Sequence, residues 1–194
     1  MHDHNEKACC TPNRRLSKPA KLSEYMTTNI RPSESTPDDM VKLGGKFLMG
    51  TDDPIGFSSN GEGPVRRVSL KPFYIDFTAV TNTQFSRFVD EIGYVTDAEL
   101  FGWSFVFHQF VSRNIAQSVT QVVESTPWWW RVDGASWKHP EGRDSSIADR
   151  MDHPVIHVSW RDSSTYSQWD GKRLPTEAEW EFAARGGLEQ KRYP

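Results

Sequence analysis

From residue 1 to residue 38 the apolar positions are scattered, with Leu16, Leu22 and Ile30 set among Lys, Pro, Ser, Thr, Glu and Asn, and neither helical nor strand periodicity appears. A segment of that kind is expected to be a disordered polar tail, because it has too little apolar surface to offset the entropy of ordering. The pattern changes at Asp39. Met40-Val41-Lys42-Leu43-Gly44-Gly45-Lys46-Phe47-Leu48-Met49-Gly50 predicts a strand, a Gly-Gly turn and a second strand. A loop rich in Gly, Asp, Ser and Pro follows from Thr51 to Pro64. Residues 65–70 and 73–77 then alternate or run apolar in the manner of two further strands.

Helix signals come next. Thr81-Asn82-Thr83-Gln84 is a capping box, and behind it Phe85, Phe88, Val89 and Ile92 fall at i, i+3, i+4 and i+7 before Gly93 ends the run. Thr176-Glu177-Ala178-Glu179 repeats the box after Pro175, with Trp180, Ala183 and Ala184 expected on one face and Gly186-Gly187 as the stop. Ser159 with Asp162 three residues on starts another helix carrying Trp160, Tyr166 and Trp169. Between these helices, residues 96–152 read as one long irregular stretch. It holds Trp103, Phe105, Phe107, Phe110, Pro127, Trp128, Trp129, Trp130 and Trp137, so its loops are expected to pack as core. No repeat or heptad is present.

The 194 residues carry 23 Lys+Arg against 26 Asp+Glu, a formal charge of -3, which argues against a polybasic nucleic-acid binder. No apolar run approaches the roughly 18 residues of a membrane-spanning helix, so no membrane partner is expected. The start, Met1-His2-Asp3-His4-Asn5-Glu6, lacks the apolar core of a signal peptide, and a cytoplasmic location is the expectation. The 2 cysteines, Cys9 and Cys10, are adjacent, so no stabilising disulfide framework lies within this chain.

His139, His153 and His157 raise the question of a metal. On a helix, His153 and His157 would share a face, but Pro154 and the β-branched run favour a strand, and no third ligand is evident. They read as structural or surface histidines, and no metal site is expected. Gly44-Gly45 and Gly61-Glu62-Gly63 lack the Lys-Ser/Thr or helix start of a phosphate loop. Trp128-Trp129-Trp130 reads either as core or as the wall of a groove for an apolar or proline-containing ligand. Arg66-Arg67 and Lys172-Arg173 read as salt-bridge partners rather than anion sites.

Several segments carry more than periodicity. Gly44-Gly45-Lys46-Phe47-Leu48-Met49-Gly50, Val80-Thr81-Asn82-Thr83-Gln84-Phe85, and Gly171-Lys172-Arg173-Leu174-Pro175-Thr176-Glu177-Ala178-Glu179-Trp180-Glu181 with Ala184-Arg185-Gly186-Gly187 form one set. Gly93-Tyr94-Val95-Thr96-Asp97-Ala98-Glu99, Phe101-Gly102, Ser104-Phe105-Val106-Phe107, Pro127-Trp128-Trp129, His139-Pro140-Glu141-Gly142 and His153-Pro154-Val155-Ile156-His157-Val158-Ser159-Trp160 form another. Together they resemble the formylglycine-generating enzyme family, also called sulfatase-modifying factors. The resemblance runs from about Asp39 to Pro194, with Ala79 where the family usually has Glu.

The resemblance implies an α+β, C-type-lectin-like fold of low regular secondary structure, incomplete at the C-terminus. Its implied organisation is a tail over residues 1–38 and the N-terminal part of a sulfatase-modifying-factor domain over residues 39–194. The family oxidises the cysteine of a Cys-x-Pro-x-Arg segment in sulfatases to Cα-formylglycine, with oxygen and a copper(I) ion held by two cysteines, as soft thiolates select that ion. Those cysteines and the calcium ligands lie in the C-terminal part of the family domain. The chain by itself is therefore expected to hold no copper or calcium and to be inactive, its partner being the sulfatase Cys-x-Pro-x-Arg segment. The positions matching Ala98, Ser104 and Trp128 line the family's peptide channel. Trp103 departs from an acidic residue seen there in some members, and Ser167 replaces a cysteine that some members use in a disulfide. Cys10, Pro12 and Arg14 themselves fit the substrate pattern, which makes the tail a candidate pseudo-substrate. Apolar surfaces on Phe85, Phe88, Trp160 and Trp180 are expected to face the remaining half of the domain. The alternative to an enzyme is a non-catalytic peptide- or carbohydrate-binding module of the same fold.

Overall fold

The computed structural model describes residues 39–192 apart from Ile55 and Phe57. These residues form two compact units, one of residues 39–77 with 174–192 and one of residues 78–173. Helices and strands are both present and much of the chain lies outside them, an α+β architecture of low regular content.

In the first unit, β1 (Met40–Met49) pairs antiparallel with β2 (Arg66–Asp76), from Met40 opposite Asp76 to Met49 opposite Arg66. The Gly-Gly turn expected at Gly44-Gly45 is not there. β1 runs straight through, and the register shifts between Leu43 and Gly45 as a bulge. The physical reason is space. Gly44 has φ 148°, and a Cβ on it would stand 3.0 Å from the Pro72 Cα, so glycine lets β1 pass close to the backbone of its partner at Pro72. Pro72 has no N–H to give the ladder, and the bulge sits opposite it. The two strands expected over 65–77 are one strand, β2, with Pro72 accommodated at the bulge.

Helix α5 (Glu177–Arg185) lies over this pair, capped by Thr176 and Glu179. Its apolar contact is not through Trp180, which is 62% exposed. Phe182 instead meets Phe47 edge-on at 5.3 Å and Phe73 at 6.3 Å, and lies against Gly45, where a side chain would touch its ring.

The second unit is built around α1 (Asn82–Ile92) and α4 (Trp160–Trp169). Phe85, Phe88, Val89, Trp137, Tyr166 and Trp169 form its main core. Phe85 and Phe88, expected to face the remaining half of the domain, are thus enclosed by this chain's own residues. Trp160 is 76% exposed. Residues 96–152, expected to be irregular, hold α2 (Asp97–Phe101), β3 (Trp103–Phe107), α3 (Arg113–Ala116), β4 (Val122–Val123) and β5 (Thr126–Asp133). The strands form an antiparallel sheet in the order β3-β5-β4. The alternation of Trp103, Phe105 and Phe107 with Ser104 and Val106 is a strand signal that the density of aromatics obscures.

Candidate functional site: the β3–β5 sheet and its flanking turns

The three positions that the resemblance assigns to a peptide channel, Ala98, Ser104 and Trp128, are set by local chain chemistry. Thr96 starts α2 with a reciprocal capping box, its backbone N–H donating to the Glu99 carboxylate at 3.0 Å and its hydroxyl accepting from the Glu99 N–H. One turn later Gly102, at φ 74°, ends the helix by donating to the Ala98 carbonyl at 2.9 Å. The chain leaves directly as β3. Ala98 and Ser104 are therefore brought to the two sides of one tight turn, both buried.

Ser104 stands opposite Val132 on β5. Side chains alternate along a strand, so Trp128, Trp130 and Val132 share its face. Trp128 sits about 13 Å from Val132 along β5, four residues at the usual rise. Ser104 and Trp128 thus occupy one face of the sheet at opposite ends of the ladder. Trp130 packs onto the cluster of Val106, Val132 and Ala135, while Trp128 and Trp129 are 45% and 37% exposed. The tryptophan run therefore divides: one ring closes the small core and two present open faces.

The buried Ser104 hydroxyl is held by a residue that the sequence marked only as a structural or surface histidine. His157 Nδ1 lies 2.9 Å from Ser104 Oγ, and its Nε2 lies 2.7 Å from the Pro140 carbonyl oxygen. A carbonyl only accepts, so Nε2 carries the proton. In the neutral ring Nδ1 is then the acceptor, and Ser104 donates to it. His157 has φ 59°, in the left-handed region. The segment leading to it is tied to the start of α1: Asn82 N–H donates to His153 O and Val155 N–H to Val80 O, both at 2.9 Å. On its other side Ser159 begins α4 by capping the Asp162 N–H. His139 likewise uses Nδ1, at 2.6 Å from Ser145 O. Among the described residues no three His, Cys, Asp or Glu side chains converge as metal ligands.

The other face of the sheet is aromatic. Phe101 and Trp103 lie 6.3 Å apart, Trp103 and Phe105 5.2 Å, and Phe107 and Trp129 5.9 Å across the strands. The Arg131 guanidinium sits 4.7 Å from the centre of the Trp103 ring. Its Nη1 donates to Gln121 Oε1 at 2.7 Å and its Nη2 lies 3.5 Å from Asp133. Asp133 is directly opposite Trp103 in the strand register. A tryptophan here therefore keeps a carboxylate beside it, supplied by the neighbouring strand. Cys10, Pro12 and Arg14 lie outside the described residues.

A sequence profile for the sulfatase-modifying factor enzyme 1-like domain matches residues 25–194. The chain belongs to this family. The match begins inside the segment read as a tail. A formylglycine-generating enzyme of Thermomonospora curvata is 60% identical over 151 residues, 78% of this chain and 50% of that protein. The protein of the same name from Bos taurus is 50% identical over 161 residues, 82% of this chain and 43% of its own length. A second Bos taurus relative, named inactive C-alpha-formylglycine-generating enzyme 2, is 54% identical over 157 residues, 80% of this chain and 52% of its own length. The chain spans about half the length of the curated relatives it matches. Identity over this stretch is 54% to the relative named inactive and 50% to the Bos taurus enzyme, so overall identity here does not separate the two.

Proposed function

We propose that this chain supplies the peptide-receiving part of a formylglycine-generating enzyme, whose complete domain oxidises the cysteine of a sulfatase Cys-x-Pro-x-Arg segment to Cα-formylglycine. The observation that carries this reading is the 60% identity over 151 residues to a protein of that name. Trp128 offers an open ring face to the peptide, while Ala98 and Ser104 shape the channel from beneath, a small side chain and a fixed hydroxyl. The fold is C-type-lectin-like in this reading, and the compartment is the reducing cytoplasm, where Ser167 directs its hydroxyl to the Ser163 carbonyl at 2.8 Å in place of a disulfide.

Copper(I) calls for thiolates, and the described residues include no cysteine. The described residues therefore do not supply the thiolate pair that copper(I) calls for. No oxidation step is assigned to them. Residues 1–194 alone are proposed to bind the peptide without converting it.

A second reading is favoured by the 54% identity to the relative named inactive: a binding module of the same fold, without chemistry, for peptides or carbohydrate. One experiment separates them. The complete protein, supplied with Cu(I), oxygen and a thiol reductant, is incubated with a Cys-x-Pro-x-Arg peptide, and the product aldehyde is detected by mass spectrometry and hydrazide capture. Conversion is expected. Saturable binding with no aldehyde would favour the module, and neither binding nor aldehyde would overturn the peptide-receiving role.

A further inference from the structure

We infer that Cys10-Thr11-Pro12-Asn13-Arg14 of this chain's own tail docks on the open face of Trp128, so that the protein carries a tethered competitor for its peptide-receiving surface. This rests on the peptide-receiving role given above and concerns its regulation: an incoming peptide binds by displacing the tail of the same molecule.

Three observations converge on it. The first is register. The chain has 2 cysteines, and only Cys10 is followed by Pro at the second position and Arg at the fourth, whereas Cys9 has Thr11 and Asn13 there. The second is place. The family match begins at residue 25, so the pattern stands ahead of the stretch that the family shares, and residues 1–38 carry no helical or strand periodicity that would draw Pro12 or Arg14 into a core. The third is the receiving surface. Trp128 is 45% exposed, while Trp130, two residues on and on the same face of β5, packs onto the small core. An open indole beside an apolar cluster is the kind of surface on which a proline-bearing extended segment docks.

The length of chain between the two permits the contact. The 24 residues 15–38 separate the pattern from the start of the described fold, and a chain of that length spans at most about 80 Å. A body of about 100 residues, the size of the unit that holds Trp128, has a radius of gyration of only about 13 Å. Attachment over such a distance sets the local concentration of the pattern on the order of 1 mM. A weak segment then competes well. If the free segment bound with a dissociation constant of about 0.2 mM, the tail would be seated in about five molecules of six and would raise the apparent dissociation constant of an external peptide about 6-fold.

The test uses the complete protein and a variant in which residues 9–14 are scrambled, which keeps the length, charge and composition of the tail. A fluorescent Cys-x-Pro-x-Arg peptide with serine in place of its cysteine is titrated by fluorescence anisotropy without added copper, with melting curves for every protein. Scrambling is expected to tighten this peptide about 3- to 10-fold, by the same factor at every protein concentration, because the competitor belongs to the same molecule. The second readout is the Cys10 thiol. Its rate of alkylation by iodoacetamide, followed by mass spectrometry on the tryptic peptide from Ala8 to Arg14, is expected to rise about 3- to 10-fold when the serine peptide saturates the protein. Trp128→Ala is expected to raise that rate by a similar factor with no peptide added. Equal peptide affinity for the wild-type and scrambled proteins would overturn the inference, as would a Cys10 rate indifferent to both the peptide and Trp128→Ala; in either case continued binding of the serine peptide leaves the peptide-receiving role standing. A tightening that vanishes on dilution would put the competitor in another copy and overturn the tethered form. Binding of the serine peptide by neither protein would reject the peptide-receiving role and this inference with it.

Discussion

His157 takes the hydrogen of the Ser104 hydroxyl on Nδ1 at 2.9 Å while its opposite nitrogen donates to the Pro140 carbonyl at 2.7 Å. Two segments far apart in sequence are tied through one ring. The residue adopts a left-handed backbone, where histidine is tolerated better than most side chains but still at a cost. Removing the ring would leave a buried hydroxyl without its acceptor and a carbonyl without its donor, so His157→Ala is expected to lower stability by about 2–3 kcal/mol. His157→Asn, which accepts the same backbone and can present an oxygen where Nδ1 stands, is expected to lose about half as much. Urea denaturation of both, in the wild-type and Ser104→Ala backgrounds, measures the coupling. The pair is expected to couple by about 1 kcal/mol, and strict additivity would mean that the bond carries no stability.

The two aromatic residues of α5 are expected to behave in opposite ways. Phe182 fills the space between Phe47 and Phe73, and Phe182→Ala removes both edge contacts and leaves a cavity against Gly45. A loss of about 3 kcal/mol is expected. Trp180, at 62% exposed, is expected to cost under about 0.5 kcal/mol when changed to alanine in residues 1–194. Thermal melts of the two variants side by side check this, and a larger loss at Trp180 would show that the helix packs through the face its periodicity suggests.

That contrast shows which parts of the structure could be read in advance. Capping boxes are local chemistry, since the hydroxyl and the carboxylate or amide that satisfy a helix start lie three residues apart; Thr81, Ser159 and Thr176 were therefore recognisable by spacing alone. Thr96 and Glu99 obey the same rule but begin a helix of only five residues, too short for an apolar period to draw the eye. Gly44 misled for the opposite reason. Gly-Gly is the usual mark of a turn, and only the approach of Pro72 on the partner strand turns it into a bulge. The site divides in the same way. Ala98, Ser104 and Trp128 stand out only through resemblance, whereas the contacts of His157 and Arg131 reach across 53 residues and across strands, which no spacing rule encodes.

Asp162 is the second hub of the larger unit. Its carboxylate is fully buried and accepts from the Ser159 N–H at 2.8 Å, from the Asp97 N–H at 3.2 Å and from the Tyr94 hydroxyl at 2.9 Å. One charge thereby caps α4, tethers the start of α2 and orients a ring that packs on Phe88 at 4.9 Å. Asp162→Asn keeps the shape but turns an NH2 group towards donors, so a loss of about 3 kcal/mol is expected. The check is a denaturant midpoint with the slope held in view, since an unchanged slope would place the effect in the native state.

The Tyr94 phenol is pushed up from 10.0 to about 12, first by its burial, with the neighbouring Asp162 carboxylate adding to the shift and a hydrogen bond with Thr165 opposing it. The folded chain therefore holds this proton more tightly than the unfolded chain. Its contribution to stability is complete below about pH 10 and drains away as the pH rises towards 12, because the unfolded state ionises first. Tyr94→Phe has no phenol to ionise, and its stability is expected to fall less steeply over that interval, although the variant starts lower through the lost bond to Asp162. Urea midpoints of the two proteins from pH 9 to pH 12 give the difference in slope directly. Parallel curves would show that Tyr94 ionises alike in the folded and unfolded chains, and that its hydroxyl meets water rather than Asp162.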